Sequence, residues 1–191
     1  MIFDHLFPTT IGYADYPFPK DLAAYKKIIS NYTYEPSGFC RERIHKNKKF
    51  KKLNDWILKE VYAYAERHLY KGQYECKESW LLDYPVGGGQ SYHRHPGFIF
   101  SAVFFLEGHG HDTTLNFENP NVDMMNPLGT TAHDDGPTED RQGYNELTYT
   151  VMSYKPVTGR VLIWRSHLSH GCFNKIESCK RIVFTYNFGR K

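Results

Sequence analysis

Residues 83–106 read DYPVGGGQSYHRHPGFIFSAVFFL, and this stretch carries the strongest structural signals of the chain. Its second half, Phe98 to Leu106, is an aromatic and aliphatic run that predicts a buried strand. In the first half, His93 and His95 stand two residues apart in a segment, Gln90 to His95, that also predicts a strand. Successive side chains of a strand alternate, so both imidazoles face one way and can share a metal ion. Two histidines on an edge strand are also a common surface feature, so the pair alone is a weak motif.

A second set of signals lies about 75 residues downstream. The apolar strand of residues 159–171, GRVLIWRSHLSHG, runs into His170 followed by glycine. The next strand, RIVFTYNF at 181–188, begins with Arg181, which heads a face shared by Val183, Thr185 and Asn187. An arginine one hairpin away from a candidate metal ligand is well placed to bind a carboxylate through two parallel hydrogen bonds.

The rest of the chain predicts a mainly β, α+β fold with helices outside. Apolar residues recur every three or four positions over residues 21–30 and from about 49 to 70, which predicts two amphipathic helices. Beyond Gly72, strands are predicted at Glu78 to Tyr84, Gln90 to His95, Phe98 to Leu106, Thr113 to Phe117, Leu147 to Tyr154, Arg160 to Trp164 and Arg181 to Phe188. Strands at this spacing favour a sandwich or barrel flanked by the helices.

The length of the chain fits one folded unit. A chain of 191 residues can bury a sizeable core, and we expect a single domain over residues 1–191. Residues 1–72 are expected to form a supporting region of strand and helix, and residues 73–191 the β core. A polar segment at 119–145, rich in Gly, Pro, Asp and Asn, predicts a long loop in that core.

Composition excludes several classes of protein. Lys and Arg number 24 against 21 Asp and Glu, and a net charge of +3 makes nucleic-acid binding unexpected. An aromatic content of 16% excludes intrinsic disorder. No apolar run approaches the roughly 20 residues of a membrane span. The four cysteines form no C-x-x-C pair and no signal peptide is recognised, so a cytoplasmic protein is expected. The oligomeric state stays open.

Together, these motifs resemble the 2-oxoglutarate/Fe(II)-dependent dioxygenases, which are built on a double-stranded β-helix, or jelly roll. Tyr84-x-x-Gly87-x5-His93-x-His95 looks like the prolyl-hydroxylase-type Tyr-x-x-Gly-x5-His-x-Asp run. His170-x10-Arg181 looks like the distal histidine and the basic 2-oxoglutarate clamp of that family. The resemblance is stronger still to a group of uncharacterised 2OG-Fe(II) oxygenase-like proteins of bacteria and phages, and it covers most of the chain.

The resemblance implies an enzyme that uses Fe(II) and 2-oxoglutarate to hydroxylate a C–H bond of an unknown substrate, a small molecule or a protein side chain, with release of succinate and CO2. His93, His95 and His170 would bind the iron. Arg181, helped by Tyr84, would bind the distal carboxylate of 2-oxoglutarate. Candidate residues for the pocket lining are Trp164, Phe105, Phe117 and Asn187.

The pattern departs from the family at His95, where a carboxylate ligand is expected. Either three histidines bind the metal, which we favour, or His95 supports the site and Glu118 or Asp112 supplies the third ligand. Two other functions stay open. One is a cupin-like three-histidine metalloprotein that does not use 2-oxoglutarate, and the other is a non-catalytic jelly-roll binding protein.

The remaining histidines of the core region are expected to have other roles. His133 belongs to an H-x-D sequence, but this lies in the long polar loop. His167 would point away from the face that carries His170 if the strand continued. His109 and His111 follow a strand end and are secondary candidates.

Overall fold

The computed structural model describes residues 8–108, 114–121, 150–172 and 181–191. Within these ranges the chain forms ten strands and two helices. The strands are β1 (Gly12–Asp15), β2 (Phe39–Cys40), β3 (Tyr74–Asp83), β4 (Gln90–His93), β5 (Phe100–Glu107), β6 (Leu115–Glu118), β7 (Val151–Tyr154), β8 (Arg160–Arg165), β9 (His170–Cys172) and β10 (Ile182–Arg190). The helices are α1 (Lys20–Ile29) and α2 (Lys51–Arg67), and short 3-10 turns at Ile44–Lys46 and Lys48–Phe50 precede α2.

The strands form two antiparallel sheets. The major sheet has the order β1-β8-β5-β10-β3-β2, and the minor sheet has the order β4-β9-β6-β7. Most strands pair with partners that are distant in sequence, which is the connectivity of a jelly roll. The predicted fold, mainly β with a jelly-roll core and two helices outside it, is confirmed.

Strand β10 shows how the layers are arranged. Its residues Ile182, Phe184, Tyr186 and Phe188 pack into a core that they share with both helices. Its intervening Val183 belongs to a second core, which lies between the two sheets. Because the major sheet is covered on both faces, strands β5 and β8 are apolar at most consecutive positions. This explains the unbroken run of buried residues in β5.

Helix α2 covers the outer face of the major sheet. Its residues Leu53, Ile57 and Val61 recur at helical spacing and are completely buried, and the Tyr64 ring meets the edge of Phe100 at 5.7 Å between centroids. Each fully buried aliphatic side chain of this kind contributes about 1.5–3 kcal/mol. The helix therefore anchors the sheet from behind and leaves the opposite face free to build a site.

The structure differs from the sequence prediction mainly in short strands and at element ends. Strands β1, β2 and β9 have two to four residues each, and the sequence pattern does not locate them, because such short runs carry too little periodicity. Strand β4 ends at His93, so His95 lies beyond it. Thr113 and most of the predicted 119–145 loop lie outside the described residues. None of the helices described is long and apolar enough to span a membrane.

Candidate active site

Three histidines meet between the two sheets. His93 of β4 and His170 of β9 are direct partners in the antiparallel pairing of these strands. His95 follows the end of β4 and is fixed by a hydrogen bond from its backbone N–H to the Ser166 carbonyl, at 3.0 Å. The ring centroids are 4.3–5.0 Å apart, and one nitrogen from each ring lies within 4.8 Å of the others. This spacing suits a shared metal ion.

Hydrogen bonds set the tautomer of each imidazole. The Nδ1 atoms of His93 and His170 lie 2.8 and 3.0 Å from the carbonyl oxygens of Ser91 and Leu168. The Nδ1 atom of His95 lies 2.7 Å from Oδ1 of Asn187. All three oxygens can only accept, so each Nδ1 carries the proton and each Nε2 has a free lone pair. This is the arrangement in which proteins present histidine to a metal.

Burial keeps the His95 and His170 imidazoles neutral. Loss of solvation lowers the pKa of His170 to about 3, and the neighbouring histidines add to this effect. Burial also lowers the pKa of His95, and the nearby His93 contributes to the decrease. Neutral imidazole is the form that binds a metal, so the site is ready for a cation at neutral pH.

A glycine and a β-bulge bring strand β4 into position. A Cβ atom on Gly171 would lie 2.8 Å from the Gln90 carbonyl oxygen, so the residue after His170 must be glycine for β4 to pack this closely. The β4–β9 register shifts between Gln90 and His93. Such a bulge changes the alternation of side chains. As a result, Gln90 and His93, three residues apart, line the same pocket.

Arg181 lies in the same pocket, and no anionic side chain of the described residues pairs with it. Only 2% of the residue is exposed, and its Nε and Nη1 atoms are buried with no hydrogen-bond acceptor among the described residues. No carboxylate of the described chain forms an ion pair with it. Its guanidinium carbon is 4.9 Å from the centre of the Tyr84 ring. A buried, unpaired charge is destabilising, so this arrangement calls for an anion.

The uncharged side chain of Tyr84 forms the pocket wall next to Arg181. Its hydroxyl donates a hydrogen bond to Oε1 of Gln90 at 3.2 Å. Burial, chiefly, raises the pKa of Tyr84, and the neighbouring Cys172 adds to this while Arg181 opposes it. The phenol therefore stays protonated, and its ring face stabilises the guanidinium through a cation–π contact.

The structure does not bring Glu118, one of the two candidate carboxylates, to the histidines. Phe117 points toward His170, with ring centroids 5.9 Å apart, so the next residue of β6, Glu118, points to the other face of the sheet. There the Glu118 carboxylate accepts a hydrogen bond from the Ser169 hydroxyl. Asp112 lies outside the described residues, as do His109, His111 and His133. His167 is exposed.

The residues predicted to line the pocket lie behind it. Trp164 packs edge-on against the His170 ring at 4.7 Å, and Phe117 packs on Trp164 at 5.0 Å. Phe105 is buried in the core between the sheets, and Asn187 lies behind His95. None of these four is among the described residues that line the pocket, and they form the layer behind it. The lining consists of Trp80, Tyr84, Gln90, His93, His95, Val103, Leu115, His170, Arg181, Val183 and Thr185.

Two lining residues could have been found in the sequence. Val183 and Thr185 of β10 share the face that Arg181 heads, as the alternation of the sequence predicts. Trp80 lies on β3, and its ring stacks on His95 at 5.8 Å and an angle of 15°. Its position could not be predicted, because it depends on the pairing of β3 with β10, which are about 100 residues apart.

The part of the chain that carries the site matches a known protein family. Residues 78–187 match a family model described as "Putative 2OG-Fe(II) oxygenase". Among proteins of curated function, none matches the chain. The matched residues cover more than half of the chain and include all three histidines and Arg181.

Similar solved structures share the fold at low sequence identity. HygX from Streptomyces hygroscopicus, crystallised with nickel, 2-oxoglutarate and hygromycin B, has a TM-score of 0.67 and 12% identity, over 96% of this chain and 84% of that one. A prolyl-4-hydroxylase from Pseudomonas putida has a TM-score of 0.62 and 16% identity, over 97% and 95%. The epimerase SnoN from nogalamycin biosynthesis has a TM-score of 0.62 and 10% identity, over 94% and 78%. This protein belongs to the 2OG-Fe(II) oxygenase family.

Proposed function

We propose that the protein is an Fe(II)- and 2-oxoglutarate-dependent hydroxylase. It would insert one atom of O2 into a C–H bond of its substrate and use the other to convert 2-oxoglutarate to succinate and CO2. Bound Fe(II), together with 2-oxoglutarate, would supply this oxidising chemistry. His93, His95 and His170 would hold the iron through their Nε2 atoms.

One observation carries the proposal. The pocket combines three converging histidine nitrogens with a buried guanidinium whose Nε and Nη1 atoms have no hydrogen-bond acceptor among the described residues. The histidines alone would fit many metalloproteins. Arg181 adds a fixed positive charge inside the same narrow pocket, where a carboxylate could receive two hydrogen bonds from it. These two features together favour a ligand that binds the metal at one end and carries a carboxylate at the other.

The chain's own residues would fix and enclose that ligand. Arg181 would bind the distal carboxylate, and the Tyr84 ring would keep the guanidinium flat against the pocket wall. Val103, Leu115 and Val183 would exclude water from the stem of the ligand. This exclusion strengthens the charge pairing, because the local dielectric is low.

Anaerobic titration of the metal-free protein with Fe(II), with and without 2-oxoglutarate, tests the proposal. A visible metal-to-ligand charge-transfer band that needs both components is the expected result. Admission of air should then bleach the band and release succinate. Iron binding that does not change when 2-oxoglutarate is added would instead favour a cupin-like protein. Failure to bind iron would favour a non-catalytic protein.

A further inference from the structure

The third histidine has a support of its own within the core. His95 is buried, with 8% of the residue exposed, and its Nε2 atom has no partner in the part of the chain that the structure describes. Its Nδ1 atom meets Oδ1 of Asn187, which lies on the central strand β10 and is 2% exposed. The Trp80 ring lies parallel to the His95 ring and limits its tilt.

Two serines complete a chain of hydrogen bonds behind His95. Ser101 donates its hydroxyl proton to Oδ1 of Asn187 at 2.8 Å. Ser101 and Ser166 hydroxyls are 2.8 Å apart, and since the Ser101 proton is already used, Ser166 is the donor of that bond. Both serines are fully buried. Both hydroxyl protons of this hydrogen-bond network therefore point toward Asn187.

We infer that Asn187 is a positioning residue that makes His95 the third metal ligand, an inference that rests on the proposed function. An amide oxygen that already accepts from Ser101 can only accept from His95 as well. The imidazole must then carry its proton on Nδ1 and present its Nε2 lone pair to the other two histidines. The alternative, in which His95 supports a carboxylate ligand, leaves that buried Nε2 atom without a partner.

The network also explains how a histidine can replace an acid at this position. A carboxylate can use either oxygen for a metal, but an imidazole binds only in one tautomer and one ring orientation. The Asn187 bond fixes the tautomer, and the Trp80 stack fixes the ring plane. Partners of this kind typically change metal affinity by about 10–100-fold when removed.

Cobalt(II) binding tests the inference without relying on turnover. In Co(II)-loaded protein labelled with 15N-histidine, the buried Nδ1–H groups of His95 and His170 should give strongly shifted, exchangeable proton resonances. Asn187→Leu should weaken Co(II) binding by about 10–100-fold and abolish the His95 resonance, while the His170 resonance remains. Asn187→Asp, which keeps the acceptor, should restore both.

The matched control is Tyr186→Phe, at the neighbouring position of β10. It removes one hydroxyl, which donates to Oδ1 of Asn54 at 3.1 Å on the helix side of the sheet. Both resonances should remain, and Co(II) affinity should change by less than about threefold. If a folded Asn187→Leu protein keeps both resonances and the Co(II) affinity of the unaltered protein, the inference is wrong. If the unaltered protein does not bind Co(II), the metal site of the proposed function fails instead.

If the Asn187→Leu protein does not fold, the Asn187→Asp protein alone still tests the positioning role of Asn187. Its carboxylate accepts more strongly, so the His95 resonance should move while the His170 resonance stays in place. An unmoved His95 resonance in a folded Asn187→Asp protein would overturn the positioning role.

Discussion

Replacement of Arg181 by methionine should stabilise the metal-free protein and abolish tight 2-oxoglutarate binding. An unpaired buried ion destabilises a fold by several kcal/mol, and the Tyr84 ring offsets only about 2 kcal/mol of this. Methionine fills a similar volume without the charge, so we expect a gain of about 2 kcal/mol. For a protein of this size, that gain raises Tm by roughly 4–8 °C.

The same change removes the charged partner of the cosubstrate. Truncating one side of a buried charge pair costs about 2–5 kcal/mol, which weakens 2-oxoglutarate binding by roughly 30-fold to 4,000-fold. Metal affinity should be nearly unaffected, because Arg181 is not among the three residues that converge as ligands. A rise in stability combined with a loss of ligand binding is the pattern of a functional site that is not optimised for the empty fold.

Differential scanning calorimetry of the metal-free protein and calorimetric titration of 2-oxoglutarate into the Ni(II) form measure the two effects. Arg190→Met is the matched control, because Arg190 is exposed at the other end of the same strand. It should change neither Tm nor affinity. A lower Tm for Arg181→Met with unchanged 2-oxoglutarate affinity would refute the reasoning.

Three further predictions concern the histidines and the tryptophans. The metal-free protein should lose stability as the pH falls below the ordinary histidine pKa of about 6.5, because His170, with a pKa of about 3, takes up a proton only on unfolding. Each imidazole that stays neutral in the fold should lower the free energy of unfolding by about 1.4 kcal/mol per pH unit. Urea unfolding midpoints from pH 7 to pH 5 measure this loss, and midpoints that do not change with pH would contradict it. His95→Leu should weaken Ni(II) binding by more than about 100-fold, beyond the loss expected for a residue that only supports a ligand, and His95→Asp should recover most of the affinity. Equal Ni(II) affinities of His95→Leu and the unaltered protein in calorimetry would exclude His95 as a ligand. Cu(II) should quench tryptophan fluorescence, because Trp80 and Trp164 each contact the ring of a proposed histidine ligand. Trp56→Phe should leave the quenching unchanged, since Trp56 packs on the helix side of the sheet. Loss of the quenching in this variant would contradict the geometry.

The sequence was informative where one strand or one motif carries the signal. Alternation along β10 separates Arg181, Val183, Thr185 and Asn187 from the residues of the helix-side core, and the structure has this division. The His93 and His170 motifs were recognisable because each follows directly from a strand pattern. The jelly roll itself came from the family resemblance, since many short strands alone fit several β architectures.

What could not be predicted depends on contacts between distant segments. The Asn187 network joins residues that are 65 to 92 positions apart, from β5, β10 and the loops after β4 and β8. No local pattern encodes such a meeting. The bulge in β4 is equally hidden, because it depends on the partner strand β9. Glu118 was a reasonable candidate ligand by residue type, but the alternation of β6 turns it away from the histidines.

The uneven anchoring of the three histidines has a kinetic consequence. The Asn187 support of His95 comes from β10, a central strand paired on both sides, whereas His93 lies on the short strand β4, at the edge of the minor sheet within the described chain. His93 is also partly exposed, while the other two rings are buried. Local opening of an edge strand requires far less free energy than global unfolding. The metal should therefore enter and leave through β4, with His93 as the last ligand to bind and the first to dissociate, and amide hydrogen exchange in β4 should slow when metal is bound.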